Sequence, residues 1–102
     1  MSQSMKISNR MGLHARPAAE FVKLAATFES EILVEKDGLE VNGKSILGVM
    51  MLAAEHGSTI RIRAVGQDAV QALEALVGLV DAGFGDDQID YGGSSDSEGE
   101  VS

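Results

Sequence analysis

Thr59-Ile60-Arg61-Ile62-Arg63-Ala64-Val65 alternates without a break: Ile60, Ile62 and Ala64 fall on one side of an extended chain, Arg61 and Arg63 on the other. Such a strand buries one face and leaves the other in water, the mark of an antiparallel sheet covered on one side only. Upstream, Ile32 and Val34 precede Asp37-Gly38, and Leu39 and Val41 follow it. Asp-Gly between two β-favouring runs predicts a two-residue hairpin. Nearer the start, Met5 and Ile7 alternate with Lys6 and Ser8, a short strand with one buried side. The outward set Arg61, Arg63, Lys6 and either Glu31 or Lys36 is expected to form the solvated face.

Helical spacing fills the gaps. Ala18, Val22 and Ala25, joined by Phe21 and Phe28, predict a helix from about Ala15 to Thr27. Val70, Leu73, Leu76, Val77 and Val80 mark another, which Gly83 can terminate. With a short helix at Ser45–Leu52 the order is β-α-β-β-α-β-α. No parallel crossover is demanded, so the expected fold is α+β: an open-faced β-sandwich, a four-stranded antiparallel sheet with three helices on one face.

A length of 102 residues allows one domain, and the absence of cysteine excludes disulfides and thiolate metal sites. The net charge of −8 is unevenly spread. Asp86, Asp87, Asp90, Asp96, Glu98 and Glu100 are unaccompanied by any base, which leaves 8 bases and 10 acids in residues 1–85. The expected organisation is a folded domain over 1–85 and an acidic Gly/Ser/Asp tail over 86–102, too polar to order itself. An acidic tail without a basic patch argues against nucleic acid. No apolar run approaches the roughly 20 residues of a membrane span, and the polar start lacks a secretory signal. A soluble cytoplasmic protein is the expectation.

Ser45-Ile46-Leu47-Gly48-Val49-Met50-Met51-Leu52 is apolar all the way round and two turns long. A helix with no polar face is either enclosed or presents apolar surface to a partner. Composition does not separate the two; the small size of the domain points to exposure of some of Ile46, Leu47 and Met50.

Gly12-Leu13-His14-Ala15-Arg16-Pro17-Ala18 carries the chemistry. With His14 at or before the N-cap, Ala15, Arg16 and Pro17 occupy the first turn, where a missing proline N–H does no harm. The helix N-terminus favours an anion, and an unprotonated imidazole is a nucleophile toward phosphorus near neutral pH. Arg16 adds planar, permanently charged donors for phosphoryl oxygens, and Gly12 lets the entering chain bend past the ring. A histidine at a helix start is also commonly a surface residue or an ordinary cap, and spacing alone leaves both readings open. No second carboxylate, cysteine or histidine lies near enough in sequence to suggest a metal site or a triad. His56, in Glu-His-Gly, reads as a solvated loop residue.

The His14 motif, together with Val41-Asn42-Gly43-Lys44-Ser45-Ile46-Leu47-Gly48-Val49-Met50-Met51-Leu52, resembles HPr, the histidine-containing phosphocarrier family of the bacterial phosphotransferase system, over about residues 3 to 85. In that family enzyme I, using phosphoenolpyruvate, phosphorylates the motif histidine at Nδ1, and the group passes to an enzyme IIA domain. The resemblance implies a monomeric, cofactor-free stoichiometric carrier with His14 phosphorylated and Arg16 stabilising the phosphate. It assigns docking on partners to Ile46, Leu47 and Met50, with Lys23 and Arg16 facing acidic partner surfaces. In parts of the family a dedicated HPr kinase/phosphorylase acts on the serine of this motif, which corresponds to Ser45; serine is equally a favoured N-cap without regulation.

Two departures stand out. Met11 replaces a small polar residue common before the glycine, and Gly43 replaces a larger apolar one, which is expected to loosen the loop entering the short helix. The alternatives are a regulatory relay feeding a signalling enzyme IIA, and an interaction module working through the Ser45 helix. Retention of His14 and Arg16 argues against the last.

Overall fold

The computed structural model describes residues 1–88, with side chains through Gly85, so the tail expected to be disordered lies almost wholly outside the described residues. Its strands are β1 (Ser2–Lys6), β2 (Glu31–Lys36), β3 (Leu39–Asn42) and β4 (Thr59–Val65). Its helices are α1 (Ala15–Ala25), α2 (Ile46–Met51) and α3 (Ala69–Asp81), followed by a 3-10 segment at Gly83–Gln88. The strands form one sheet in the order β1-β4-β2-β3, antiparallel at every junction. The expected α+β architecture is the observed one.

β4 lies inside the sheet, and its alternation is as expected: Ile60, Ile62 and Ala64 are buried under the helices. On the solvent face Arg61 approaches Glu35 at 3.6 Å and Arg63 approaches Glu40 at 3.2 Å. These exposed pairs lace β4 to the hairpin and contribute at most about 1 kcal/mol each. Glu31 has the outward parity; Lys36 shares the parity of buried Ile32 and Val34 and is half-buried at the strand's end. Asp37 and Gly38 have φ of 53° and 85°, the two left-handed positions of the tight hairpin turn that Asp-Gly predicts.

Element ends differ from expectation for local reasons. β1 begins earlier, at Ser2, because its polar residues need only an edge. Ile7, just past it, still donates to Ser58 O at 2.8 Å. α1 stops at Ala25, and Thr27 and Phe28 donate to Leu24 O and Ala25 O at 3.1 and 3.2 Å, tightened bonds typical of a helix end. In α3 the buried stripe is Ala69, Ala72, Leu73, Leu76 and Val80. Val70, expected on that stripe, is 49% exposed. Gly83 ends α3 with φ 66° as expected, and the next residue, Phe84, holds φ 58° while burying its ring in the core.

The far end of the domain is tied by Asp68. Its carboxylate accepts the amides of Glu29 and Ser30, each at 2.9 Å, and the Ser30 hydroxyl, joining the start of α3 to the turn between α1 and β2. The Ser30 hydroxyl, then the Glu29 amide, hold this carboxyl below its ordinary pKa. A depressed folded-state pKa gives stability that is complete above the unfolded value, near 4, and is lost as pH falls through the folded value. Asp68→Ala is therefore expected to lower the unfolding midpoint at pH 7. The gap from the parent should narrow progressively in melts taken at pH values falling below about 4; a pH-independent gap would contradict this account.

Candidate functional site

Asn9 to His14 form a loop whose backbone is fastened at both ends. Gly12 N donates to Asn9 O at 3.3 Å, and the buried Asn9 Nδ2 donates to Gly12 O at 2.8 Å. Gly12 has φ 70°, and a Cβ there would lie 2.5 Å from Ala54 O, so glycine is required on both counts. The next amide, Leu13 N, donates to that same Ala54 O at 2.8 Å. The loop is thereby clamped to the chain leaving α2.

This clamp places His14 at the N-cap of α1, extended at φ −86° and ψ −170°, its carbonyl accepting from Ala18 N at 3.0 Å. The half-buried ring makes no capping bond to the helix. Ala15 and Arg16 are exposed in the first turn, and Pro17 is buried at its third position. Imidazole, guanidinium and the positive end of an 11-residue helix are thus gathered at one corner.

α2 runs antiparallel to α1. Its exit touches the His14 loop through Ala54, whereas at its entrance Lys44 Nζ donates to Phe28 O, beyond the far end of α1, at 2.7 Å. Ser45 is therefore not brought to His14 but caps the opposite end of α2, its Oγ accepting from Gly48 N at 3.1 Å. Lys23 lies in the last turn of α1, about 13 Å of helix from His14, and approaches Glu20 at 3.9 Å. Arg16 and the C-terminal half of α2 share the histidine's end.

The apolar helix divides as its two-sided composition requires. Val49 is 1% exposed, whereas Leu47 is 73% exposed, with Ile46 and Met50 also on the surface. Met51, 64% exposed, extends this apolar surface, and Met11, 73% exposed, stands out from the loop before His14. Sequence reasoning missed the exposure of Met51. It also missed Asn9, although an Asn three residues before a Gly is a turn signal. The expectation for Gly43 is corrected: the residue is buried, its amide donates to Ile32 O at 2.7 Å, and a Cβ would lie 2.6 Å from Ile32 Cγ2. The loop is tight, not loosened. His56 is exposed as expected, with Nδ1 3.4 Å from Asn9 O. Among the described residues no cluster of three His, Cys, Asp or Glu could hold a metal, and no helix is long and apolar enough to cross a membrane.

The domain is thus an open-faced α+β sandwich with a histidine at a helix N-terminus. A family model described as "PTS HPr component phosphorylation site" matches residues 1–82, and the chain belongs to that HPr phosphocarrier family. It is 44% identical over 86 residues to phosphocarrier protein HPr of Neisseria meningitidis, covering 84% of this chain and 97% of that one. It is 46% identical over 81 residues to the HPr-like protein Crh of Halalkalibacterium halodurans, covering 79% of this chain and 96% of that one. The crystal structure of HPr-C-His from Thermoanaerobacter tengcongensis superposes with a TM-score of 0.81 at 46% identity, over 83% of this chain and 96% of that one.

Exposure separates two substitutions, one on α2 and one at its C-cap. Leu47→Glu should change folding stability by no more than about 0.5 kcal/mol, whereas Leu52→Ala, in the core, should cost about 2–5 kcal/mol. Urea denaturation of both proteins checks this. Gly12→Ala should cost at least about 2 kcal/mol through the left-handed φ and the contact with Ala54.

Proposed function

We propose that this chain is a stoichiometric phosphoryl carrier of the phosphoenolpyruvate-dependent sugar phosphotransferase system, acting as a cytoplasmic monomer without metal or cofactor and turning over no substrate of its own. Enzyme I delivers the group to Nδ1 of His14, and an enzyme IIA removes it. The observation that carries this reading is the His14 ring at the start of α1, not engaged in capping that helix, with Arg16 in the first turn.

Each transfer is an in-line displacement. The Nδ1 lone pair attacks phosphorus, the N–P bond forms as the donor's bond to phosphorus breaks, and the next acceptor reverses the exchange. The transition state is loose, with charge spread over three oxygens. The α1 N-terminus and Arg16 stabilise that charge, while imidazole remains a good enough leaving group for onward transfer. Docking falls to Ile46, Leu47 and Met50, with Arg16 and Lys23 supplying charge toward acidic partner surfaces.

Incubation with phosphoenolpyruvate and the cognate enzyme I should add the mass of one phosphoryl group. The gain should be acid-labile and absent in His14→Ala; no gain in the parent protein overturns the reading. Transfer onward to a sugar-specific or a regulatory enzyme IIA separates the transport role from a nitrogen- or carbon-control relay.

Ser45 supports a second role, as the target of an HPr kinase/phosphorylase. Its half-buried hydroxyl sits at the entrance of α2, one residue from Ile46 and two from Leu47. A phosphate there adds about two negative charges beside the docking face and repels an acidic partner. An acid-stable phosphate formed with the cognate kinase, and absent in Ser45→Ala, is the expected result. Loss of the cap should by itself cost about 1 kcal/mol.

A further inference from the structure

The sheet has a second unoccupied feature, at the edge away from α2. α2 packs on the β3 side, whereas α3 covers β4 and β1. β1 is an edge strand, and its register with β4 runs unbroken from Ser2 to Lys6. Met1 and Ala64 exchange both backbone bonds, at 3.1 and 2.8 Å. In an antiparallel pair the bonded positions alternate, so the peptide groups of Ser2, Ser4 and Lys6 point to the open edge. Among the described residues nothing guards that edge in the usual ways: β1 has no proline and no bulge, and its one charged side chain is Lys6 at the end.

Beside this edge runs a groove of about 350 Å³, walled by Gln3 of β1 and by Val70, Glu74, Val77, Gly78 and Asp81 of α3. Its lining is mostly apolar, which accounts for the exposed Val70 left outside the core. A Cβ at Gly78 would meet nothing within 4 Å, so no neighbour demands a helix-weakening glycine there. The glycine keeps the groove floor open. Glu74 and Asp81 make it acidic, and the Met1 ammonium, which also lines it, is engaged with Ala64 O.

An open strand edge beside an apolar groove under a helix is the geometry of peptide recognition by strand addition. We propose that the groove takes an extended, non-acidic segment of a partner protein as a fifth strand on β1. On the side of that strand turned toward α3, apolar side chains would rest on Val70 and Val77, and Lys or Arg side chains of the same parity would meet Glu74 and Asp81. Val70 and Val77 lie about 10 Å apart along α3, room for two alternate strand side chains at about 6.7 Å. The chain's own tail is excluded as occupant, because Asp90, Asp96, Glu98 and Glu100 would face Glu74 and Asp81. The groove and the α2 face lie at opposite edges of the sheet, so one partner could be held while the other surface stays uncovered. The inference does not rest on phosphoryl transfer.

The test is an amide-shift titration of the ¹⁵N-labelled full chain with a capped Lys-Ser-Val-Ser-Val-Ser-Lys peptide, whose Lys and Val side chains share one face, using Glu-Ser-Val-Ser-Val-Ser-Glu as control. Saturable shifts at Ser2, Ser4, Lys6, Val77 and Gly78 are expected with the basic peptide, and binding roughly tenfold weaker with the acidic one. Ser4→Pro removes an outward N–H, which an edge strand tolerates, and Gly78→Leu fills the groove; each should abolish the shifts. Should Ser4→Pro fail to fold, Gly78→Leu, which strengthens the helix, decides alone. Equal response to both peptides, shifts confined to other surfaces, or binding retained in Gly78→Leu would overturn the proposal. So would β1 shifts that depend on protein concentration without peptide, the sign of a second copy on the edge.

Discussion

The carbonyl of Ala54 accepts the amide of Leu13 at 2.8 Å and leaves no room for a side chain on Gly12. Two residues some forty positions apart in sequence are thereby held in backbone contact, and the rest of the functional end is arranged around that contact. It fixes where the loop turns into α1, and so where the His14 ring stands relative to the helix axis. It also fixes where α2 ends, and so where Met50 and Met51 emerge. A side chain at position 12 would separate the His14 corner from the apolar helix, whatever their individual stabilities.

From this clamp the connectivity does the rest. β1 and β2 run parallel with β4 inserted between them, so each helix returns along the sheet opposite to the strand before it. α1 therefore starts, and α2 and α3 finish, at the same end. The consequence is electrostatic as well as geometric. The positive end of the α1 dipole faces outward at His14, whereas the positive end of α2 lies at Ser45, beyond the far end of α1. A phosphate on either residue would sit at its own helix start. The two charges would be separated by the length of α2, at opposite ends of one exposed apolar strip. A charge added at Ser45 would then fall at the end of that strip away from the imidazole.

What could be read from the residues follows the range of the interactions. The Asp37-Gly38 turn and the Ile60/Arg61 alternation are local, decided by dihedral preference and by one strand's pattern, and they stand as read. Val70 shows where periodicity fails: a helical stripe reports spacing, but only the neighbours decide which of its members are covered, and β1 is too narrow an edge to reach this one. Gly43 fails for the same reason in the other direction. A missing side chain suggests looseness until Ile32 is found against it, 2.6 Å from where a Cβ would stand. The His14 motif was legible as a helix start. Neither the Asn9 brace nor the Ala54 clamp was, because each is a tertiary contact without a pattern of its own.

The same logic separates the two apolar surfaces. On α2 the exposed residues follow from length: six helical residues with no polar side chain cannot all be turned inward, and Val49 takes the buried position. That surface is forced by composition and would exist on any such helix packed on a small sheet. On α3 nothing forces it. A 13-residue amphipathic helix had polar alternatives at Val70 and stronger helix formers at Gly78, and both positions open onto an edge strand left unguarded. Each departure weakens either solubility or the helix, and together they make one feature, a groove beside a free backbone edge. Two unfavourable choices converging on a single concavity are better explained by an occupant than by drift at two unrelated positions.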